Sequence, residues 1–105
     1  MTLILKHKWF DMIAGGVKRE EYRDWNPRYM RMLDNLLALP ASERIIEFRR
    51  GYTKTSVKVY FDGGWCHEHE GDMKLAARHG FEFRPEWGYE KGKRLIVFKL
   101  GEIVK

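Results

Sequence analysis

One segment of the chain, residues 95–100, constrains the fold most, because five of its six side chains are apolar and two of those are β-branched. Such a run is typical of a strand that is buried on both faces, and Ile103 and Val104 continue it. Together with several shorter strand-like segments and two helical ones, it predicts a single α+β domain over residues 1–105. The domain should be mostly β and form a small barrel.

Two segments have the spacing of amphipathic helices. The first, residues 8–14, has apolar side chains at i, i+3 and i+4 and ends at a glycine pair. The second begins at Pro27, after a potential cap at residues 24–26, and ends before the next proline. Its predicted apolar face consists of Tyr29, Met32, Leu33, Leu36 and Leu37.

Three further segments predict strands, namely residues 2–6, 45–48 and 57–61. The sequence Asp62-Gly63-Gly64 is a turn signal, so the third of these strands should stop there and residues 65–70 should return as its hairpin partner. For residues 72–87 the sequence does not decide between helix and strand. Part of that region suits a helical turn, whereas Phe81 and Phe83 alternate as in a strand.

The composition suggests an anionic partner. The net charge is +5 and the sequence pI is near 9.4, and the excess is concentrated in residues 1–54, with 11 basic against 7 acidic side chains. A basic half is compatible with nucleic acid, although surface lysines also serve solubility.

The single cysteine, Cys66, excludes an intrachain disulfide and favours a reducing compartment. The N-terminal residues lack the pattern of a signal peptide, and no stretch approaches the roughly 18 apolar residues of a membrane helix. We therefore expect a cytoplasmic protein without a membrane partner.

The segment Cys66-His67-Glu68-His69-Glu70 is the obvious candidate for a metal site. A structural zinc site needs four ligands, usually as two separated pairs, and the chain has no second cysteine. We expect an ordinary polar segment, and no metal or other cofactor. A glycine-rich phosphate loop is also missing, which disfavours nucleotide hydrolysis.

The richest stretch for chemistry is residues 15–23, in which a glycine pair precedes two carboxylates, an aromatic ring and three basic side chains. On a regular strand, Lys18, Glu20 and Tyr22 would share one face and Glu21 and Arg23 the other. A bend at Lys18 would bring Lys18 and Glu21 towards one pocket despite their opposite parity.

Basic residues interleaved with aromatic ones form the second lead, because bases of a single strand stack on such rings while cations contact the phosphates. At least half of the rings should belong to the core. The basic candidates are Lys6, Lys8, Lys18, Arg19, Arg23, Arg49 and Arg50, and the aromatic candidates are Trp9, Tyr22, Trp25, Tyr52, Trp65, Trp87 and Tyr89.

The stretch Gly16-x-Lys18-x-x-Glu21-x-Arg23 resembles the G-x-K-x-x-E-x-R signature of the ASCH domain family, and it follows a first strand and a short helix as in that family. Residues 85–88 are similar to a segment of small bacterial and phage members. The resemblance covers nearly the whole chain and implies a PUA-like β-barrel with two flanking helices and a cleft near the motif.

The resemblance also implies a ligand: RNA, another single strand, or a modified nucleoside. As a binding site, Lys6, Lys18 and Arg23 would contact phosphates or a carbonyl group, and Glu21 would accept hydrogen bonds from an exocyclic amine. Tyr22 or Trp87 would stack on a base. Glu20 lies outside the motif, and we expect it to take no part in ligand binding.

Two alternatives remain open. Some small bacterial ASCH members deacetylate N4-acetylcytidine with a lysine, a threonine and a glutamate, and others have been described as ribonucleases. Lys18 matches that lysine, whereas Glu21 occupies the position of that threonine; as an amidase, Glu21 would act as general base and Lys18 would stabilise the oxyanion. The other alternative is a protein-interaction module, which exposed aromatic rings without basic neighbours would favour.

Overall fold

The computed structural model describes all 105 residues and has one five-stranded sheet, three α-helices and three short 3-10 turns. The strands are β1 (Thr2–Leu5), β2 (Glu20–Asp24), β3 (Ile45–Arg50), β4 (Ser56–His67) and β5 (Leu95–Ile103), and the helices are α1 (His7–Ala14), α2 (Pro27–Leu37) and α3 (Met73–Arg78). The predicted α+β, mostly β class is confirmed. No helix has both the length and the apolar character that crossing a membrane requires.

Strand β5 lies inside the sheet, antiparallel to β4 on one side and to β2 on the other. Its alternate side chains point to two separate clusters of buried residues. Ile96, Phe98 and Leu100 belong to the larger one, and Leu95 and Val97 to the smaller one. The prediction of a strand buried on both faces is therefore confirmed, and β5 joins the two cores.

The strand order of the sheet is β1-β3-β4-β5-β2, with only β1 and β3 parallel. The sheet curls into a half-barrel. Strands β1 and β2 are its two edges and do not pair with each other. The resulting gap, which we call the seam, is where residues 20–24 face the start of the chain.

Helices α1 and α2 flank the larger core at the predicted positions. Phe10 and Ile13 of α1 and Leu33 and Leu36 of α2 are buried there. The Asn26 side chain accepts a hydrogen bond from the Tyr29 N–H at 2.9 Å, which caps α2 just before its first-turn proline.

The predicted turn at residues 62–64 is wrong. Strand β4 continues through both glycines, with register shifts near Phe61, so residues 65–67 extend β4 along β5 instead of returning as a hairpin. A Cβ on Gly64 would overlap the Leu33 Cδ1 atom and lie 3.1 Å from Leu33 Cγ. Glycine at this position therefore allows α2 to pack closely on the strand, which is a packing reason that the sequence alone does not reveal.

The region left open by the sequence, residues 72–87, contains the short helix α3 and no strand. Phe81 and Phe83 are both buried in the smaller core although they lie in a loop. Phe83 has a φ of 52°, a left-handed backbone conformation that is uncommon for a bulky residue. The alternation of Phe81 and Phe83 therefore does not mark a strand, because both side chains anchor a loop in the smaller core.

Candidate ligand-binding cleft

A cleft of about 780 Å³ opens at the seam between β1 and β2. All six side chains predicted to bind a ligand line it, namely Lys6, Lys18, Glu21, Tyr22, Arg23 and Trp87. They come from both edges of the sheet and from the 3-10 turn at Pro85–Trp87. We call this space the seam cleft.

Lys18 reaches the cleft because the chain turns sharply after α1. Gly16 has a φ of 76°, and the N–H groups of Val17 and Lys18 both bond the Met12 carbonyl at 2.9 and 3.0 Å. Lys18 consequently precedes β2, and its Nζ atom lies 3.2 Å from the Glu21 Oε1 atom. The predicted bend at Lys18 is confirmed.

Lys18 is 3% exposed, and its ammonium group has several close partners. Besides Glu21, it donates to the Trp87 carbonyl and lies 4.6 Å from the Trp9 ring centroid and 5.2 Å from that of Tyr22. Burial lowers the pKa of Lys18 below its usual value, although the Glu21 carboxylate acts in the opposite direction.

Glu21 connects the two cations of the motif. Its Oε1 atom contacts Lys18, and its Oε2 atom accepts a hydrogen bond from Arg23 Nε at 2.8 Å. The Arg23 guanidinium also donates to the Tyr29 hydroxyl at 3.2 Å and to the Ile4 carbonyl at 3.1 Å. Because a guanidinium has five N–H donors, two of them stay available to a ligand.

Aromatic rings form much of the cleft wall, but they differ in accessibility. Trp9 and Tyr22 are partly exposed, whereas Trp87 is only 5% exposed and has the Arg84 guanidinium 5.0 Å from its ring centroid. The face of Trp87 is thus largely covered, and Trp9 and Tyr22 present the more accessible rings. These rings have basic neighbours, so the condition that would favour a protein-interaction module is not met.

Glu20 has a structural role, which the motif did not indicate. It is 1% exposed and accepts hydrogen bonds from the N–H groups of Glu82 and Phe83 at 2.7 and 2.9 Å, and from the Tyr22 hydroxyl at 2.6 Å. Glu20 does not line the seam cleft, so this structural role is separate from the predicted binding residues. Its carboxylate fastens the loop that leads to Trp87 onto β2.

The histidine-rich segment forms a separate buried cluster. His67 is fully buried, and its ring nitrogens contact the Asp72 carboxylate at 2.5 Å and the Tyr89 hydroxyl at 3.2 Å. Burial and the nearby Glu70 carboxylate raise the pKa of Tyr89 to about 12. No group of three or more His, Cys, Asp or Glu side chains has an arrangement suited to a metal ion.

The charge of the seam cleft is mixed. Four basic side chains line it, Lys6, Lys18, Arg23 and Lys93, together with three acidic ones, Glu21, Asp24 and Glu90. The predictions omitted some lining residues, among them Asn26 and Tyr29, whereas Trp9 and Tyr89 were among the aromatic candidates. Tyr29 follows the apolar spacing of α2, so the sequence assigned it to the apolar face of that helix.

Comparison of the chain with known proteins gives no match to a family model, to a curated protein or to a solved structure.

Proposed function

We propose that this protein is an ASCH-like nucleic-acid-binding domain whose seam cleft accepts one nucleotide of RNA or of another single strand. The observation that carries the proposal is the convergence of the motif residues Lys18, Glu21 and Arg23 in one cleft with accessible aromatic rings. The proposal includes a cytoplasmic location, which the single free cysteine supports.

The size and chemistry of the cleft fit a nucleotide. Ligand pockets typically measure about 300–1,000 Å³ and combine apolar walls with a few polar groups that fix orientation, and the seam cleft falls in this range at about 780 Å³. A base would lie against Trp9 and Tyr22. The free N–H groups of Arg23 would bond a phosphate or a carbonyl, and Glu21 would accept from an exocyclic amine.

The mixed charge supports recognition of a base in preference to simple attraction of a phosphate backbone. A carboxylate such as Glu21 repels phosphate but distinguishes amine-bearing base edges, as carboxylates do with cytosine N4. We therefore expect binding to depend on the base as well as on salt.

The test is fluorescence anisotropy with a labelled single-stranded RNA of roughly eight nucleotides. Lys6 is exposed and lines the cleft, so we expect Lys6→Ala to change the cleft with little effect on folding. Arg19→Ala, on exposed surface outside the cleft, is the matched control. For each phosphate interaction that a substitution removes, the slope of log K against log salt should fall by about 0.7. Absence of binding at low salt, or equal binding by wild type, Lys6→Ala and Arg23→Ala, would contradict the proposal.

One observation favours a second candidate, a hydrolase of an acylated nucleoside. The buried Lys18, with its lowered pKa, lies 3.2 Å from a carboxylate in a cleft of nucleoside size. In that reaction water would add to the acyl carbonyl, Lys18 would stabilise the oxyanion, and the C–N bond would break to release a carboxylic acid and the free amine. Glu21 would have to accept the proton of the water while held between two cations, and such a transfer would weaken both ion pairs.

Incubation with N4-acetylcytidine, followed by chromatography for cytidine, tests this candidate. Turnover that Lys18→Met and Glu21→Gln both abolish, while Arg19→Ala does not, would support it. A ribonuclease variant of the same candidate is tested on the labelled RNA by gel electrophoresis. If neither substrate changes, the hydrolase candidate is rejected and the binding proposal is unaffected.

A further inference from the structure

A second groove lies beside the seam cleft, on the outer side of β1. Its volume is about 520 Å³, and its eight lining residues are Thr2, Leu3, Ile4, Arg23, Arg28, Tyr29, Arg49 and Tyr52. Three of them are arginines and none is acidic, which distinguishes it from the seam cleft. We call it the arginine groove.

The arginine groove is continuous with the seam cleft, because Ile4, Arg23 and Tyr29 line both. Arg23 donates hydrogen bonds to the other two across this shared wall. The two cavities therefore adjoin at Arg23, and the nucleotides next to one in the cleft would lie near the groove.

Two of the arginines in the groove have donors available. The Arg28 side chain is exposed and makes no hydrogen bond or ion pair within the chain, and its guanidinium lies 5.7 Å from the Tyr29 ring centroid. Arg49 has a single contact, to Glu47 at 3.4 Å, and its side chain is 52% exposed. Arginine is well suited to phosphate because its planar fork bonds two oxygens at once.

Tyr52 adds an aromatic ring that the core does not use. It is 96% exposed, yet its turn is ordered by a hydrogen bond from the Thr53 hydroxyl to the Arg50 carbonyl at 2.6 Å and by one from the Thr55 N–H to the Thr53 hydroxyl at 3.2 Å. Gly51, with a φ of 58°, begins that turn. The ring therefore lies in solvent beside a groove whose charged lining residues are all basic.

We infer that the arginine groove holds the phosphate backbone of the nucleotides that flank the base in the seam cleft, and that Tyr52 stacks on one of their bases. The inference rests on the proposed function and extends it from a single nucleotide to a strand of several. Three arginines in a groove whose lining holds no acidic residue match a phosphate backbone, and an exposed ring matches an unpaired base. Single-stranded nucleic acid is the occupant that satisfies both.

The experiment compares two ligands, a single-stranded RNA of roughly eight nucleotides and a mononucleotide. Anisotropy measures the first and an NMR titration the second. Arg28→Ala, Arg49→Ala and Tyr52→Ala should weaken oligonucleotide binding, Tyr52→Ala by about ten-fold, and should not alter mononucleotide binding. Lys6→Ala, in the cleft, should weaken both. Arg78→Ala is the matched control, since Arg78 is exposed, lies on α3 and contacts neither cavity.

Further outcomes separate the inference from the proposed function. If Tyr52→Phe retains oligonucleotide affinity and Tyr52→Ala does not, stacking by Tyr52 is supported. If the groove variants lose affinity for single-stranded DNA to the same extent as for RNA, the inference holds for both backbones. If the oligonucleotide binds and depends on Lys6, but the three groove variants bind it like wild type, the inference fails and the proposed function stands. If wild type binds no oligonucleotide at all, both fail.

Discussion

Arg23 of β2 donates a hydrogen bond to the Ile4 carbonyl of β1 at 3.1 Å, across the seam where the two edge strands do not pair. An unpaired strand edge leaves backbone groups without partners, and here a side chain supplies one. The same guanidinium bonds Glu21 and Tyr29. A motif residue therefore both joins the edges of the half-barrel and lines the cleft between them.

The first prediction concerns this link. Arg23→Ala should lower the free energy of unfolding by about 2–4 kcal/mol, because it leaves the buried Glu21 with only one cation and removes the hydrogen bond across the seam. Urea denaturation measures the change. Arg19→Ala removes an exposed arginine four residues earlier and should change stability by less than about 0.5 kcal/mol. Equal stabilities of the two variants would contradict the role of Arg23 at the seam.

The second prediction concerns Glu20, which fastens the loop at residues 82–84 to β2. Glu20→Gln keeps the size of the side chain but removes the negative charge and turns one acceptor oxygen into a donor, so at least one bond to a loop N–H is broken. We expect a decrease in stability of about 1–3 kcal/mol, together with faster amide hydrogen exchange at Glu82 and Phe83. Glu82→Gln, at an exposed loop side chain, is the control, and unchanged exchange in Glu20→Gln would contradict this account.

The third prediction tests why β4 contains Gly64. Gly64→Ala places a Cβ against Leu33, and such overpacking should cost about 1–3 kcal/mol. Leu33→Ala alone should cost about 2–5 kcal/mol. Because the added methyl group occupies space that the shorter side chain vacates, the double variant should be less destabilised than the sum of the two. Strict additivity in thermal or urea denaturation would count against this contact.

The fourth prediction follows from the lowered pKa of Lys18. Between that lowered pKa and 10.5, the value of the unfolded chain, the unfolded state binds more protons than the folded state. The contribution of Lys18 to the free energy of unfolding therefore rises with pH in this window and is constant below it.

The measurement is urea denaturation of wild type and Lys18→Met at several alkaline pH values. Burial raises the pKa of both Tyr22 and Tyr89, so these tyrosines lower stability as pH rises above about 10. They are present in both proteins, and their effect cancels in the difference. Wild type should gain stability relative to Lys18→Met as pH rises, and a constant difference would show that burial does not disfavour the Lys18 charge.

The sequence was sufficient to predict a structural feature wherever the residues that cause the feature are close together along the chain. The apolar run of β5, the spacing of α1 and α2 and the Asn26 cap all follow from nearest neighbours along the chain. The bend at Lys18 belongs here too, because a glycine with positive φ produces it. These features predicted the fold class, whereas the six predicted binding residues that line one cleft came from the resemblance to the ASCH signature.

Other features depend on partners that are distant in sequence, and no local pattern indicates them. Gly63-Gly64 has the composition of a turn, but both glycines pair with β5 within a continuous strand. Glu20 finds its partners 62 and 63 residues away.

By itself, then, the sequence determined the class of fold, the main elements and the residues with chemistry in the motif. Only the tertiary structure decided that β1 and β2 are the unpaired edges, that the motif lies at the seam between them, and that the arginine groove continues from it. The physical reason is that side-chain periodicity encodes which face is buried, whereas the pairing order of strands follows from packing among all of them at once.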